Sequence, residues 1–245
     1  MENKEENYVQ TIVEDLDELS LRSEEVDVKK ENNEVRDLVL KLKRTLRAHE
    51  DGVGLAAPQI GVKKRVFCIN FKGDIRSYIN PVISNAENLV INREGCLSLP
   101  GKQYLIPRYN KISVMYQTPL GKIESMQMLG MAAFVFQHEL NHLDGITLAD
   151  MGLEIDEDFD KATEEERMEV VKAYMESLDL RSKDLNKQID EDPELSKVKK
   201  AAEFMNAVDK GEVKIESEKV DEETIKKLKE KINESENKNS KGNNQ

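Results

Sequence analysis

The sequence predicts an α+β fold, with mixed and antiparallel strands around a central buried helix and a helical, partly disordered C-terminal extension. Three observations carry this. Ala132, Ala133, Phe134, Val135 and Phe136 are apolar through more than one helical turn. A helix that is apolar nearly all round is buried inside a domain, and residues 129–143 are read as such a helix. Upstream, the segments 65–71, 76–83, 89–92, 111–117 and 122–128 are short and extended in character, and the last two flank Thr118-Pro119-Leu120-Gly121 as a hairpin. Beyond Leu180 the apolar residues thin out and charge dominates.

The chain has 245 residues, which suits one domain with an extension or two small ones. We divide it into a domain over residues 1–180 and an acidic, partly helical to disordered extension over 181–245. Charge supports the division. Residues 1–150 hold 19 Lys+Arg against 22 Asp+Glu, whereas residues 151–245 hold 18 against 27. A formal net charge of −12 argues against nucleic acid or an anionic membrane as a general partner. The two cysteines, Cys68 and Cys96, make no disulfide framework. No secretory or transit signal and no membrane-length apolar run is visible, so the expected compartment is a reducing cytosol.

Taken in order, residues 11–30 mix apolar positions with acids and read as an extended or partly helical wrap. Val35, Leu38, Val39, Leu42 and Leu46 recur at three- and four-residue steps, the stripe of an amphipathic helix over 34–49. Asn33 is its expected N-cap and Gly52 its stop. His49, in the last turn, reads as structural or surface. Residues 52–61 (GVGLAAPQIG) suit neither helix nor strand and let backbone approach something closely. Gln59 is the polar exception there, and its amide can donate into a pocket. Residues 65–71 form a buried strand in which Cys68 acts as a small hydrophobe. Asn80-Pro81 forces an edge or a bend. After the 129–143 helix, Gly145 ends the turn. Thr163-Glu164-Glu165-Glu166 reads as a capping box for a helix carrying Val170, Val171, Tyr174, Met175 and Leu178. Further helices are expected around 198–205 and 225–232, and disorder over 235–245.

The chemistry concentrates in Gln137-His138-Glu139-Leu140-Asn141-His142. In H-E-x-x-H on a helix, both histidines share one face and can bind one metal ion. Glu139 then lies beside the ion and can handle the proton of a water. A catalytic site of this kind wants a third protein ligand. Cys96, in Glu94-Gly95-Cys96-Leu97-Ser98, is the upstream candidate. A downstream carboxylate, Glu154 or Glu157, is the alternative.

Three blocks now stand in order: GVGLAAPQIG, EGCLSLP and QHELNH. Together they resemble the signature motifs of peptide deformylases, metal-dependent amidases that remove the formyl group from new N-terminal methionines. The resemblance covers residues 10–180. It implies hydrolysis by a hydroxide at the metal, with Cys96, His138 and His142 as ligands and Glu139 as general base and acid. It implies Gln59 and the Leu97 backbone N–H as oxyanion donors, and the Gly54 carbonyl as acceptor of the formamide N–H. Val53, Met131, Phe134, Val135 and the stem of Glu94 would line the methionine pocket, with Arg108 where the peptide leaves. The implied cofactor is one divalent ion, Fe2+ first, with Zn2+, Ni2+ or Co2+ fitting the same ligands. The implied partner is the formyl-methionyl nascent chain, with transient proximity to the ribosome. Three departures stand out. Asn141 replaces the family's usual Asp, residues 47–51 are unusually charged, and residues 18–22 match the family's opening only loosely. Two rival readings are an H-E-x-x-H peptidase cutting internal bonds, in which Cys96 has no role, and a deformylase fold reduced to a binding module.

Overall fold

The computed structural model describes residues 8–191, the last thirteen of these as backbone alone. The helices expected around 198–205 and 225–232 and the disorder expected over 235–245 lie outside the described residues. The chain divides after Met175, and the first unit holds the sheet and the site.

The elements are α1 (Leu16–Leu19), α2 (Asn32–Ala48), β1 (Gly54–Ala56), β2 (Val66–Phe71), β3 (Asp74–Cys96), β4 (Leu99–Gln117), β5 (Ile123–Leu129), α3 (Met131–Leu143), α4 (Leu148–Met151), β6 (Leu153–Ile155), α5 (Glu157–Lys161) and α6 (Glu164–Glu191). The sheet runs β1-β2-β3-β4-β5, with β6 added to β4 at Gln103–Leu105. The architecture is therefore helix plus antiparallel sheet. Every ladder among the described strands is antiparallel, and parallel pairing is confined to one bridge, Glu24–Lys64. The mixed pairing expected from sequence reduces to that bridge.

Strand β2 is buried on both faces. Val66 and Cys68 pack with Val35, Leu38, Leu42 and Leu46 of α2. Phe67 and Ile69 face the other way, onto Ala133, Val135 and Phe136 of α3. Period-two alternation between two helices explains why the strand reads as an unbroken apolar run rather than an alternating one. Inward residues of β4 and β5 (Ile112, Val114, Met128) extend the second layer, and Phe67, Tyr78 and Phe136 meet with ring centroids 5.0–5.4 Å apart.

The long β3–β4 hairpin differs from the short strands expected. β3 runs straight through Asn80-Pro81, because a register shift between Ile79 and Val82 absorbs the proline and Asn80 takes φ +47°. The Asn80 side chain then bonds both the N–H and the carbonyl of Val26. Pro107 sits in β4 between the stretches paired to β6 and β5, so its missing N–H interrupts no ladder on that side. The glycine-rich run is also more ordered than its composition suggests: it contains β1 and a 3-10 turn at Ala57–Ile60, closed by Gly61 at φ +75°. The cap of α2 is Glu31 rather than Asn33.

Two contacts fix α3 in place. Gln137 bonds the N–H and the carbonyl of Tyr109 at 2.9 and 2.8 Å, tying the helix to β4. At the far end, Arg65 donates to Asp144 at 2.6 Å and to the Leu143 carbonyl at 3.3 Å. Gly145 (φ +74°) turns the chain away, and a Cβ there would lie 2.3 Å from the Ser20 carbonyl oxygen. The capping box of α6 forms as the sequence indicates, Thr163 N–H to Glu166 at 2.8 Å and Glu166 N–H to Thr163 at 3.2 Å.

Candidate metal centre

Helix α3 carries His138 and His142 one turn apart, with ring centroids 5.0 Å from each other. The third donor comes from the sheet. Cys96 is the last residue of β3 and pairs with Leu99 across the two-residue turn Leu97-Ser98. That turn sets the thiol beside α3, with Cys96 Sγ 3.2 Å from His142 Nε2. One ligand atom from each of Cys96, His138 and His142 lies within 4.8 Å of the others. A thiolate and two imidazoles in this array suit Zn2+, Fe2+, Ni2+ or Co2+. The surroundings fit a cation as well, since Glu139 is 2% exposed and its Oε2 has no partner.

The ring of His138 is aimed from behind. Its Nδ1 lies 3.0 Å from Glu94 Oε2, leaving Nε2 toward the donor array. Glu94 in turn accepts two bonds from Arg108, Nε to Oε1 and Nη2 to Oε2, both at 2.9 Å. Arg108 Nη1 donates to Asn141 Oδ1 on the same helix as His138. An amide oxygen accepts that bond as a carboxylate oxygen would, so Asn141 keeps the geometry with one less negative charge. Burial works against a charged Glu94, but the bonds from His138 and Arg108 outweigh it and hold its pKa down at about 2. Burial pushes His142 down, and the neighbouring His138 adds to the effect.

Glu139 faces a cavity of about 600 Å³. Burial raises its pKa to about 7, against the pull of the two imidazoles. A carboxyl group tuned there can take and return a proton at neutral pH. Gly54 of β1 lies against it: a Cβ at residue 54 would sit 2.2 Å from Glu139 Oε1. Gln59 is oriented by its own turn. Its Oε1 accepts the Ala56 N–H at 2.9 Å, so Nε2 points to Cys96 Sγ (3.5 Å) and Ser98 Oγ (3.3 Å). The amide is thus set as a donor beside the thiol.

Val53, Gly54, Gln59, Glu94, Leu97 and Cys96 line the cavity, and so do Met131, Phe134, Val135, His138 and Glu139. His142 lies deeper, 1% exposed. Arg108 does not match its expected place. It is 3% exposed and engaged by Glu94 and Asn141, so it stands behind His138 rather than where a peptide would leave. Glu154 and Glu157, the alternative ligands, are bound by Lys102 and Tyr104 and by Lys161, outside the donor array. His49, read as structural or surface, lines the cavity. Ser98 and Gln137 escaped the sequence reading. Ser98 stands in the quoted EGCLSLP block, but its pairing to Gln59 spans 39 residues and leaves no local signal.

A cysteine sulfur and two imidazoles beside a proton-handling carboxylate, on a helix-plus-antiparallel-sheet scaffold, define a metal-dependent hydrolase. The comparisons agree. A family model described as polypeptide deformylase matches residues 9–156. A peptide deformylase of Symbiobacterium thermophilum is 38% identical over 159 residues, 64% of this chain and 73% of that one. The crystal structure of the Thermotoga maritima peptide deformylase aligns at TM-score 0.55 and 34% identity, covering 58% of this chain and 97% of the other. An Acinetobacter baumannii class I type b peptide deformylase with Met-Ala-Ser bound aligns at TM-score 0.54 and 28% identity, over 58% and 98% of the two chains. The chain belongs to the polypeptide deformylase family and is a hydrolase of N-terminal protein processing. No described helix is long and apolar enough to cross a membrane.

Three outcomes follow from this geometry. Gly54→Ala should push Glu139 aside and lower kcat/KM about 10²-fold, since a displacement near 1 Å is enough for that loss; steady-state kinetics alongside an unchanged circular dichroism spectrum checks it. Burial pushes the Cys68 thiol up to about 12. At about pH 8, iodoacetamide should therefore modify Cys96 alone in native metal-stripped protein, and Zn2+ should protect it, as read by intact mass. The same shift makes stability fall as pH rises from the ordinary thiol value of 9.0 toward about 12, because only the unfolded chain ionises Cys68 in that window.

Proposed function

We propose that this enzyme hydrolyses the N-formyl group from the N-terminal formyl-methionine of nascent polypeptides and releases formate. One divalent ion would be held by Cys96, His138 and His142, Fe2+ first. The observation that carries the reading is the convergence of these three donors with Glu139 beneath a cavity edged by β1. A divalent ion in such a site supplies Lewis acidity and brings the pKa of water toward about 7.

The protein's own groups do the rest. Glu139 takes the proton of the attacking water and returns it to the leaving amine, a role suited to its raised pKa. The developing oxyanion is met by Gln59 Nε2 and the Leu97 backbone N–H, and one such donor is worth about 3–4 kcal/mol of barrier. The Gly54 carbonyl accepts the formamide N–H. β1 is the end strand of the sheet beside the cavity, and the peptide adds to it as a further strand. The methionine side chain enters between Val53, Met131, Phe134, Val135 and the stem of Glu94. Arg108 acts through Glu94 as a positioning residue for His138. The Met-Ala-Ser bound to the A. baumannii relative supports a peptide that begins with methionine.

Residues 1–180 form the catalytic domain in this reading, and the acidic 181–245 segment lies outside the chemistry. Acting on nascent chains would bring the enzyme near the ribosome in the cytosol, where the Cys96 thiol stays reduced.

Release of formate from formyl-Met-Ala-Ser by iron-loaded protein prepared without oxygen tests the function. Cys96→Ala should lose both bound metal and turnover. Glu139→Gln should retain metal while kcat falls about 10²–10⁴-fold. Metal bound at full occupancy without turnover in the native protein would instead favour a binding module. Removing residues 186–245 should leave kcat/KM largely unchanged, and a collapse of activity would refute the proposed domain division.

A further inference from the structure

The rim of the cavity carries an unbalanced charge. Two cations line it on the β3–β4 hairpin, Arg93 and Lys102. Both are already answered. Arg93 donates through Nε to Gln103 at 3.3 Å and through both Nη atoms to Asp160 at 2.5 and 3.0 Å. Lys102 donates to Glu154 Oε2 at 3.1 Å, an oxygen that also accepts the Tyr104 hydroxyl. Neither is left to receive a ligand carboxylate.

Glu14, on the N-terminal arm, and Asp51, in the loop before β1, line the same cavity. Both are exposed, and among the described residues neither side chain has a hydrogen-bond or ion-pair partner. Their backbones are held. Val13 N–H donates to the Gln59 carbonyl at 2.9 Å, and Gly52 N–H to that of His49 at 2.9 Å. Asn70 N–H reaches the Val53 carbonyl at 2.8 Å, tying the stretch just before β1 to β2. The cavity is a ligand site on separate grounds, since Glu139, buried and with Oε2 unpartnered, lies in its wall.

Building on the deformylase reading, we propose that Glu14 and Asp51 are specificity-determining residues, favouring formyl-methionyl peptides with Lys or Arg shortly after the methionine and disfavouring Asp or Glu there. A peptide leaving the donor array along β1 must cross this rim. A lysine is attracted by two unanswered carboxylates, whereas a glutamate is repelled by them and finds no unpaired Lys or Arg among the described lining residues. His49 lines the cavity too, but an imidazole is mostly neutral above about pH 7. One exposed ion pair shifts an equilibrium by about 1.5–5-fold. Two acids acting on opposite charges should separate Lys from Glu peptides by about tenfold at low salt, mostly through KM. The separation should shrink toward twofold or less at high salt, because a Debye length of about 3 Å at 1 M screens exposed charges.

The test is kcat/KM of the metal-loaded full chain on formyl-Met-Ala-Ser, formyl-Met-Lys-Ser and formyl-Met-Glu-Ser, and on formyl-Met-Ala-Lys and formyl-Met-Ala-Glu, at low and high salt. The expected order is Lys above neutral above Glu, compressed by salt and inverted in the double variant Glu14→Lys, Asp51→Lys. Equal values for the charged peptides at low salt, or a spread that neither salt nor the double variant changes, would overturn the inference and leave deformylation standing. Failure to turn over any formyl peptide would overturn the deformylase reading itself, and the inference with it. Should the double variant not fold, salt dependence of the native enzyme decides.

Discussion

A buried carboxylate held between a guanidinium and an imidazole joins three elements at this site. Glu94 comes from β3, Arg108 from β4 and His138 from α3. Their side chains are 8%, 3% and 12% exposed. Charges removed from water to this extent are stable only when every donor and acceptor is answered, and removing one partner from such a pair typically costs about 3–5 kcal/mol. Here the answering is mutual. Arg108 occupies both oxygens of Glu94 and reaches Asn141, and Glu94 turns the His138 ring. The cluster thereby sets the distance between the hairpin that carries Cys96 and the helix that carries both histidines.

The rest of the fold serves the same distance. Strand β2 is sandwiched between α2 and α3, so the helix has a flat, two-layered support rather than a surface seat. Gln137 pins its middle to β4 and Arg65 its end to the start of β2. The tight Leu97-Ser98 turn leaves Cys96 little freedom along the strand. Dense packing of this kind transmits small volume changes, which is why the absence of a Cβ at Gly54 matters to Glu139 on another element.

The interior of the site and its rim use electrostatics in opposite ways. Inside, burial raises Glu139, whereas the bonds from His138 and Arg108 overcome burial and lower Glu94, so two neighbouring carboxyl groups are shifted in opposite directions. At the rim, charges are wet and individually weak. Such charges can bias what enters a site without touching the reacting bond.

Local pattern reached far into this protein. The H-E-x-x-H spacing identified a shared helix face, the apolar residues before it marked that helix as buried, and β2 was legible from its unbroken run. Hairpin and capping-box signals near Thr118 and Thr163 were equally local. The resemblance of three blocks to one family then named residues that the structure brings around one cavity. What sequence did not reveal depends on partners distant along the chain. The continuity of β3 through Asn80-Pro81 rests on a bulge whose asparagine bonds Val26, and β6 exists because β4 offers an edge. Arg108 looked like a residue for ligand and is instead a buried support, because only the folded pairing of β3 with β4 puts it against Glu94. Spacing along one helix can be counted in residues. Whether a thiol from a hairpin meets that helix, and which charges are left unanswered beside it, is decided by long-range packing alone.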